Sequence, residues 1–287
     1  MTYLTEEDWK KNYVHKICDD KSFSDYLREK LIIQSNLLTL IQKLFKSKNN
    51  SPNKLIQRIL YSSLIYFHKY ILCNGILFSD LSFLEKITIY SACIFLSFKT
   101  INKLIHIDLI SSEFKSFFNK GNKIKYEIED INKLITNKEF DILLSIQFQI
   151  NIDWPNDNYI ILKHYLSQIG QGENTIKTIV NYVHKEFNES ILFPFYLYYT
   201  PIEILISSLI LIKEEFNLNF ININNFVEKY KLDIDKDNIG ECSRLINKII
   251  KQKKVILEEI SNNKNINNNK ENEKINFNVI SSIRANN

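Results

Sequence analysis

The stretch YSACIFLSFK, from Tyr90 to Lys99, decides the fold of this 287-residue chain. Its centre combines small and apolar side chains, and its last residue is basic. Small side chains let neighbouring helices approach closely, so the stretch predicts the central helix of a helical bundle. Further along the chain, EFDILLSIQFQI, from Glu139 to Ile150, opens on a carboxylate and is largely apolar thereafter. We interpret it as most of a second helix, which begins near Asn137.

The rest of the sequence also favours an all-α fold. Five glycines and four prolines are too few for the turns that a sheet-rich fold requires. Apolar residues recur near helical spacing in long segments, for example at Leu27, Leu31, Leu38, Ile41 and Phe45. The predicted helices span 24–47, 55–72, 83–99, 137–150, 157–169, 174–188, 201–216, 222–230 and 237–258, with a less regular region around 103–119 and a polar segment at 120–134.

The helices fall into two sets of five around a break that contains Pro155, because proline disfavours helix in the residue before it. Each set carries a small-residue cluster in its third helix, Ser91-Ala92-Cys93 and Ser207-Ser208-Leu209, which is weak internal repetition. Eleven of the 27 residues after position 260 are asparagine, so we expect this segment to be disordered and dispensable for folding. We therefore predict a helical lead-in at 1–23, a first five-helix bundle at 24–150, a linker at 151–157, a second five-helix bundle at 158–260 and a tail at 261–287.

No motif in the sequence predicts an active site, a cofactor or a metal ion. Gly170-Gln171-Gly172 lacks the third glycine of a dinucleotide-binding loop. Asp233 to Asp237 resembles the start of a calcium loop, but Asn238 and Arg244 occupy the positions of its glycine and glutamate. The histidines and cysteines are not spaced as metal ligands. We expect a non-catalytic protein that binds no cofactor and no metal.

The net charge and the hydropathy of the sequence argue against nucleic acids and membranes as partners. The 37 lysines and arginines exceed the 33 acidic residues by only +4, and they are too scattered to indicate nucleic-acid binding. Met1 to Trp9 is too acidic and polar for a signal peptide. No apolar run approaches the roughly 18 residues of a membrane-spanning helix, and the four cysteines form no CxxC pair. We expect a reduced intracellular protein without a membrane partner.

Four segments, in the correct order, resemble motifs of the cyclin family. Tyr66 to Tyr70, YFHKY, resembles a segment of the second helix of a cyclin box, and Ala92 to Lys99 resembles A-C-I-F-L-A-x-K in its third helix. Glu139 to Ile150 resembles the fifth-helix pattern E-x-x-I-L-x-x-L-x-F-x-L. Asn188 to Ile191, followed by Tyr199 to Glu203, resembles a pattern of the second box in transcription-type cyclins, the C, H, K, L and T groups. The chain is identified as a divergent member of this family.

This resemblance implies the activating, non-catalytic subunit of a cyclin-dependent serine/threonine protein kinase that acts in transcription by RNA polymerase II. It also implies a heterodimer with the kinase and a nuclear location, with a cytoplasmic share left open. A cyclin holds one kinase helix inward so that its glutamate pairs with the lysine that positions ATP. The residues that the resemblance assigns to the kinase-binding face are two polar anchors, Lys99 and Glu139, and five apolar contacts, Leu96, Phe140, Leu143, Phe148 and Ile150.

Simpler interpretations of these residues remain open on the sequence alone. Lys99 also fits an ordinary lysine at a helix C-terminus, and Leu143 and Phe148 also fit core positions. The chain departs from the family because Thr100-Ile101-Asn102 replaces V-E-E after the lysine and Lys69 replaces an arginine. We expect Lys99 and Glu139 to share an exposed surface and to add little to the stability of the free chain. Arg28 is instead expected to contribute to stability.

Two other classes of protein remain as alternatives. Transcription factors of the factor-IIB class also carry tandem five-helix repeats, and they bind promoter DNA and polymerase. They usually add a zinc ribbon and a strongly basic surface, neither of which this sequence displays. A helical scaffold without a kinase partner is the second alternative, and co-purification separates it from a cyclin.

Overall fold

A computed structural model describes residues 27, 41, 53–76, 80–103, 105–119, 125–152, 156–190 and 193–266. The predicted segments 1–23 and 24–47, with Arg28, lie almost wholly outside these residues, as does 267–287 of the predicted tail. Within them every regular element is helical, which confirms the all-α prediction. The helices are α1 Asn53–Cys73, α2 Phe83–Thr100, α3 Ile107–Phe118, α4 Ile128–Ser145, α5 Asn156–Gln168, α6 Glu173–Ser190, α7 Pro201–Glu215, α8 Ile223–Tyr230 and α9 Lys236–Ile266, with a 3-10 turn at Pro194–Leu197 between α6 and α7.

The described residues divide into two compact units. The first contains α1 to α4 and ends at Ile152, and the second contains α5 to α9. The arrangement is consistent with the predicted tandem bundles. The domain limits given above, including the linker at 151–157, stay predictions.

Helix α2 is the central element of the first unit, as its small residues predict. It packs against α1, α3 and α4, and every residue from Thr88 to Ile94 is buried. The close approach of α1 is visible in two contacts. Ser63 Oγ lies 3.0 Å from Ser97 Oγ, and the rings of Phe67 and Tyr90 stack with centroids 4.2 Å apart. Burial of a helix on several sides requires small or apolar residues around its whole circumference, which YSACIFLSF supplies.

The prediction for α4 was wrong at both ends. The helix begins at Ile128, inside the predicted polar segment, rather than near Asn137. Its first turn carries Glu129 and Asp130, which stabilise a helix N-terminus. The buried side chains of Ile131, Ile135, Glu139 and Ile142 follow at helical spacing, so packing of this face outweighs the polar composition around it.

Helix α4 also ends earlier than Ile150, because the chain leaves it at Ser145 through a Schellman motif. Gln147 N–H donates to the Leu144 carbonyl at 3.0 Å, and Phe148 N–H donates to the Leu143 carbonyl at 2.9 Å. Gln147 adopts the left-handed conformation, with φ 51°, that this motif requires. Phe148 and Ile150 therefore belong to a turn and not to the helix.

The second unit is organised around α7, which packs against α5, α6, α9 and the 3-10 turn. Pro201 occupies the first turn of α7, as predicted, and Thr200 forms a capping box with Glu203. The Glu203 carboxylate is buried and also accepts from Asp235 N–H and Asn238 Nδ2, both at 3.2 Å. It thereby joins the start of α7 to the start of α9. Helix α9 continues to Ile266, so residues 261–266 of the predicted disordered tail are helical instead.

We expect Glu203→Ala to lower the free energy of unfolding by about 3 kcal/mol, because it removes the buried acceptor of several part-buried hydrogen bonds. Glu215→Ala, at the exposed end of the same helix, is the control and should change it by less than about 0.5 kcal/mol. Urea unfolding of the full chain measures both variants. Equal losses would contradict the bridging role of Glu203.

Candidate protein-docking site

A charge pair joins two of the four sequence segments that resemble cyclin motifs. Lys99 Nζ, in the last turn of α2, lies 2.8 Å from both Oε1 and Oε2 of Glu139. The Lys99 side chain is 49% exposed and that of Glu139 only 6%. Glu139 lies in the middle of α4 rather than at a helix start. The expectation that both charges are exposed is therefore wrong for Glu139.

The ion pair between Lys99 and Glu139 stabilises the packing of the first unit. A buried carboxylate is costly unless a cation and hydrogen bonds compensate for its lost solvation. Lys99 supplies that compensation, and its ammonium group also lies 4.0 Å from the centroid of the Phe95 ring, within the range of a cation–π contact. These contacts fix the direction of the lysine while leaving half of its side chain open to solvent.

Large apolar side chains are exposed on the same unit. Phe140 and Leu144 are 57% and 52% exposed, and their i, i+4 spacing places them on one face of α4. Phe148 is 58% exposed and Ile150 37% exposed, in the turn that follows α4. Contiguous exposed apolar groups mark interaction surfaces more often than scattered ones do. We name these four residues together with Lys99 the docking surface.

The remaining two apolar candidates are not exposed side chains of this surface. Leu96 is buried at 3% exposure, because α2 packs on three helices and has little free face. Leu143 is half-buried. Leu144, in contrast, was missed by the sequence analysis. Its i, i+4 spacing from Phe140, which the sequence analysis did assign to this face, was the available signal.

Side chains of α1, and of Asn74 directly after it, hold the end of α4 and the turn that follows. Tyr66 Oη donates to the Ile150 carbonyl at 2.8 Å, and Lys69 Nζ donates to the Gln149 carbonyl at 3.2 Å. Asn74 Nδ2 reaches Ser145 Oγ at 3.1 Å. Burial raises the pKa of the Tyr66 phenol, so its hydroxyl stays protonated even at the alkaline pH at which an exposed tyrosine ionises. The YFHKY segment thus supports the docking surface, a role that the sequence match did not assign.

Among the described residues no cluster of three or more histidine, cysteine or acidic side chains is arranged to hold a metal ion. None of their helices has the length and apolar character needed to span a membrane.

We predict that Lys99 and Glu139 stabilise the free chain together. In a double-mutant cycle of Lys99→Met and Glu139→Gln, the coupling energy should be at least about 1.5 kcal/mol, because Lys99→Met leaves the buried Glu139 carboxylate without its cation. Lys115 and Glu127 form a more exposed pair at 2.6 Å and serve as control, with an expected coupling below about 1 kcal/mol. Urea unfolding gives both values. A coupling no larger than that of the control pair would contradict the compensation argument.

Comparison with known proteins gives a fold but no close relative. No protein-family model and no curated protein matches the chain. The structure is similar to the cyclin Ccl1 in the yeast TFIIK (Kin28/Ccl1/Tfb3) complex, with a TM-score of 0.53 and 18% identity over 82% of this chain and 94% of that one. A chain of the CAK complex from Chaetomium thermophilum bound to ATP-γ-S matches with a TM-score of 0.46 and 15% identity, over 77% of this chain and 63% of that one. The comparisons do not favour the factor-IIB alternative. The described helices of this chain therefore have the fold of a cyclin.

Proposed function

We propose that the chain is the activating, non-catalytic subunit of a cyclin-dependent serine/threonine kinase that acts in RNA polymerase II transcription in the nucleus. The main support is the set of exposed apolar side chains in and directly after α4, the helix that also carries Glu139 of the Lys99–Glu139 pair. The similarity to a cyclin of a complex that acts in RNA polymerase II transcription supports this class of partner. No chemistry by the chain itself is needed.

The proposed mechanism follows from the exposure of each group. Phe140, Leu144, Phe148 and Ile150 offer apolar area that the mobile kinase helix covers. The half-exposed Lys99 ammonium donates to carbonyls at the C-terminal end of that helix, where a positive charge is favourable. Glu139 is too buried to supply much contact area and acts by orienting Lys99.

The docking surface activates the kinase because it is already formed before the kinase binds. A partner that binds only the inward position of the kinase helix shifts the kinase towards its active population. That position lets the glutamate of the kinase helix pair with the lysine that contacts ATP. Leu96 contributes to this face by packing in the core behind it, and Leu143 contributes partly by packing and partly by contact.

Co-expression tests the proposal directly. The tagged full chain is expressed with each cyclin-dependent kinase catalytic subunit encoded by the same genome, one at a time. We expect one kinase to form an equimolar complex and to phosphorylate a peptide from the RNA polymerase II carboxyl-terminal repeats faster than it does alone. If no kinase binds and none is activated, the chain is a helical scaffold of another kind.

Single substitutions test where the kinase binds. Phe140→Ala and Phe148→Ala should each weaken the complex at least about tenfold, or 1.4 kcal/mol, because exposed aromatic anchors dominate interface energies. Phe83 is 52% exposed and lies at the other end of α2 from Lys99, about 24 Å away at 1.5 Å per residue. Phe83→Ala is therefore the matched control and should bind as the parent does. Titration calorimetry measures the kinase affinity of all three variants. Equal affinities would mean that the kinase binds outside the docking surface.

A further inference from the structure

The turn after α4 contains a conformation that helix termination does not need. Gln147 and Phe148 are both left-handed, with φ of 51° and 57°. Among the described residues, the other non-glycine left-handed positions, Asn102, Asn217 and Lys231, occur singly. A Schellman motif requires only the first such residue. A left-handed aromatic residue is unfavourable and persists only where its surroundings impose it.

Burial of the Phe148 ring does not explain the conformation either, because the ring is 58% exposed. The second left-handed residue instead turns the backbone tightly after the helix. Gln149 N–H donates to the Ile146 carbonyl, and Ile150 N–H donates to the Phe148 carbonyl, both at 2.9 Å. The turn thereby presents two successive carbonyls, those of Gln149 and Ile150, to side chains of α1.

Those two carbonyls accept from residues one helical turn apart on α1. Tyr66 Oη lies 2.8 Å from the Ile150 carbonyl and Lys69 Nζ lies 3.2 Å from the Gln149 carbonyl. The Tyr66 side chain is fully buried, so its ring is fixed by the core and its hydroxyl has a defined position. Thr100 Oγ1 lies 3.2 Å from the same hydroxyl. The turn is thus fastened to the helix core on its inner side while Phe148 faces solvent.

We propose that Tyr66 and Lys69 are positioning residues that hold the Gln147–Ile150 turn in a strained, preformed conformation for docking of the kinase. This inference rests on the proposed function and names residues that do not themselves contact the partner. Fixing the turn in the free chain removes the entropy that would otherwise be lost on binding. The strain persists because the contacts from α1 and the Schellman bonds impose it together.

Removal of one hydroxyl tests the inference. Tyr66→Phe keeps the buried ring but frees the Ile150 carbonyl. We expect faster amide hydrogen exchange at residues 147–150 of the free full chain, and kinase affinity at least fivefold lower. Tyr70→Phe is the matched control, because Tyr70 is also a buried tyrosine of α1 but its hydroxyl contacts Lys138 Nζ, at 3.3 Å, instead of the turn. It should leave both quantities unchanged.

The outcomes separate this inference from the proposed function. If Phe148→Ala weakens the complex but Tyr66→Phe binds as the parent does, the positioning role is wrong and the docking surface stands. If Phe140→Ala and Phe148→Ala both bind normally, the docking surface is misplaced and the positioning role is wrong with it, whereas the proposed function fails only if no kinase binds the parent chain. Equal effects of Tyr66→Phe and Tyr70→Phe would also overturn the inference, since they would reflect general loosening of α1.

Comparison of two truncations tests the strain itself. Glycine adopts positive φ readily, whereas alanine does not. Phe148→Gly should therefore melt at a higher temperature than Phe148→Ala, although both remove the ring. If Phe148→Ala melts at the higher temperature, the backbone at residue 148 is not strained and the inference is wrong.

Discussion

The ion pair between Lys99 and Glu139 is the constraint on which the candidate site depends. The Glu139 carboxylate is buried, so α4 must pack where the end of α2 can supply a cation. That requirement fixes the rotation of α4 about its axis. With Ile135, Glu139 and Ile142 directed inward, Phe140 and Leu144 are necessarily directed outward. One buried charge thus connects the packing of the first unit with the side chains that it exposes.

The position of the pair also explains how the stability of the fold and the proposed function can depend on the same residues. Exposed ion pairs contribute little to stability, and an interface lysine on a free side chain would lose rotamer entropy on binding. Here the lysine is fixed in the free chain by Glu139 and by the Phe95 ring. The first unit therefore carries a preorganised donor as well as exposed apolar side chains, as the proposed function requires.

Helices with clear boundary residues could be predicted from the sequence. Helix α2 was predicted at 83–99 and spans Phe83–Thr100, and α7 was predicted at 201–216 and spans Pro201–Glu215. Ser82 and Thr200 form capping boxes before them, and Pro201 fits a first helical turn. Helix α4 lacks such a signal, since Glu127 at its start makes no side-chain cap bond. Its early turns are held by packing of Ile131 and Ile135, which a polar segment does not reveal.

The sequence match selected candidate residues but did not predict their burial. The sequence match selected Lys99, Glu139, Phe140 and Phe148, but it placed Glu139 and Leu96 on an exposed face that both lack. Burial of a side chain depends on neighbours that are distant in the chain. The spacing of residues within one helix gives no information about those neighbours. The bond from Tyr66 to Ile150 spans 84 residues and joins a helix to a turn that was predicted as helix. Such a contact follows from the fold and not from a local motif.

The central claim is that the first unit presents a kinase-docking surface already formed in the free chain. Hydrogen–deuterium exchange of the full chain, alone and with the kinase identified by co-expression, tests it most directly. The account predicts slow exchange at residues 139–150 before the kinase is added, and strong further protection there and around Lys99 on binding. Residues 216–232 of the second unit should change little. Protection confined to the second unit, or fast exchange at 139–150 in the free chain, would contradict the account.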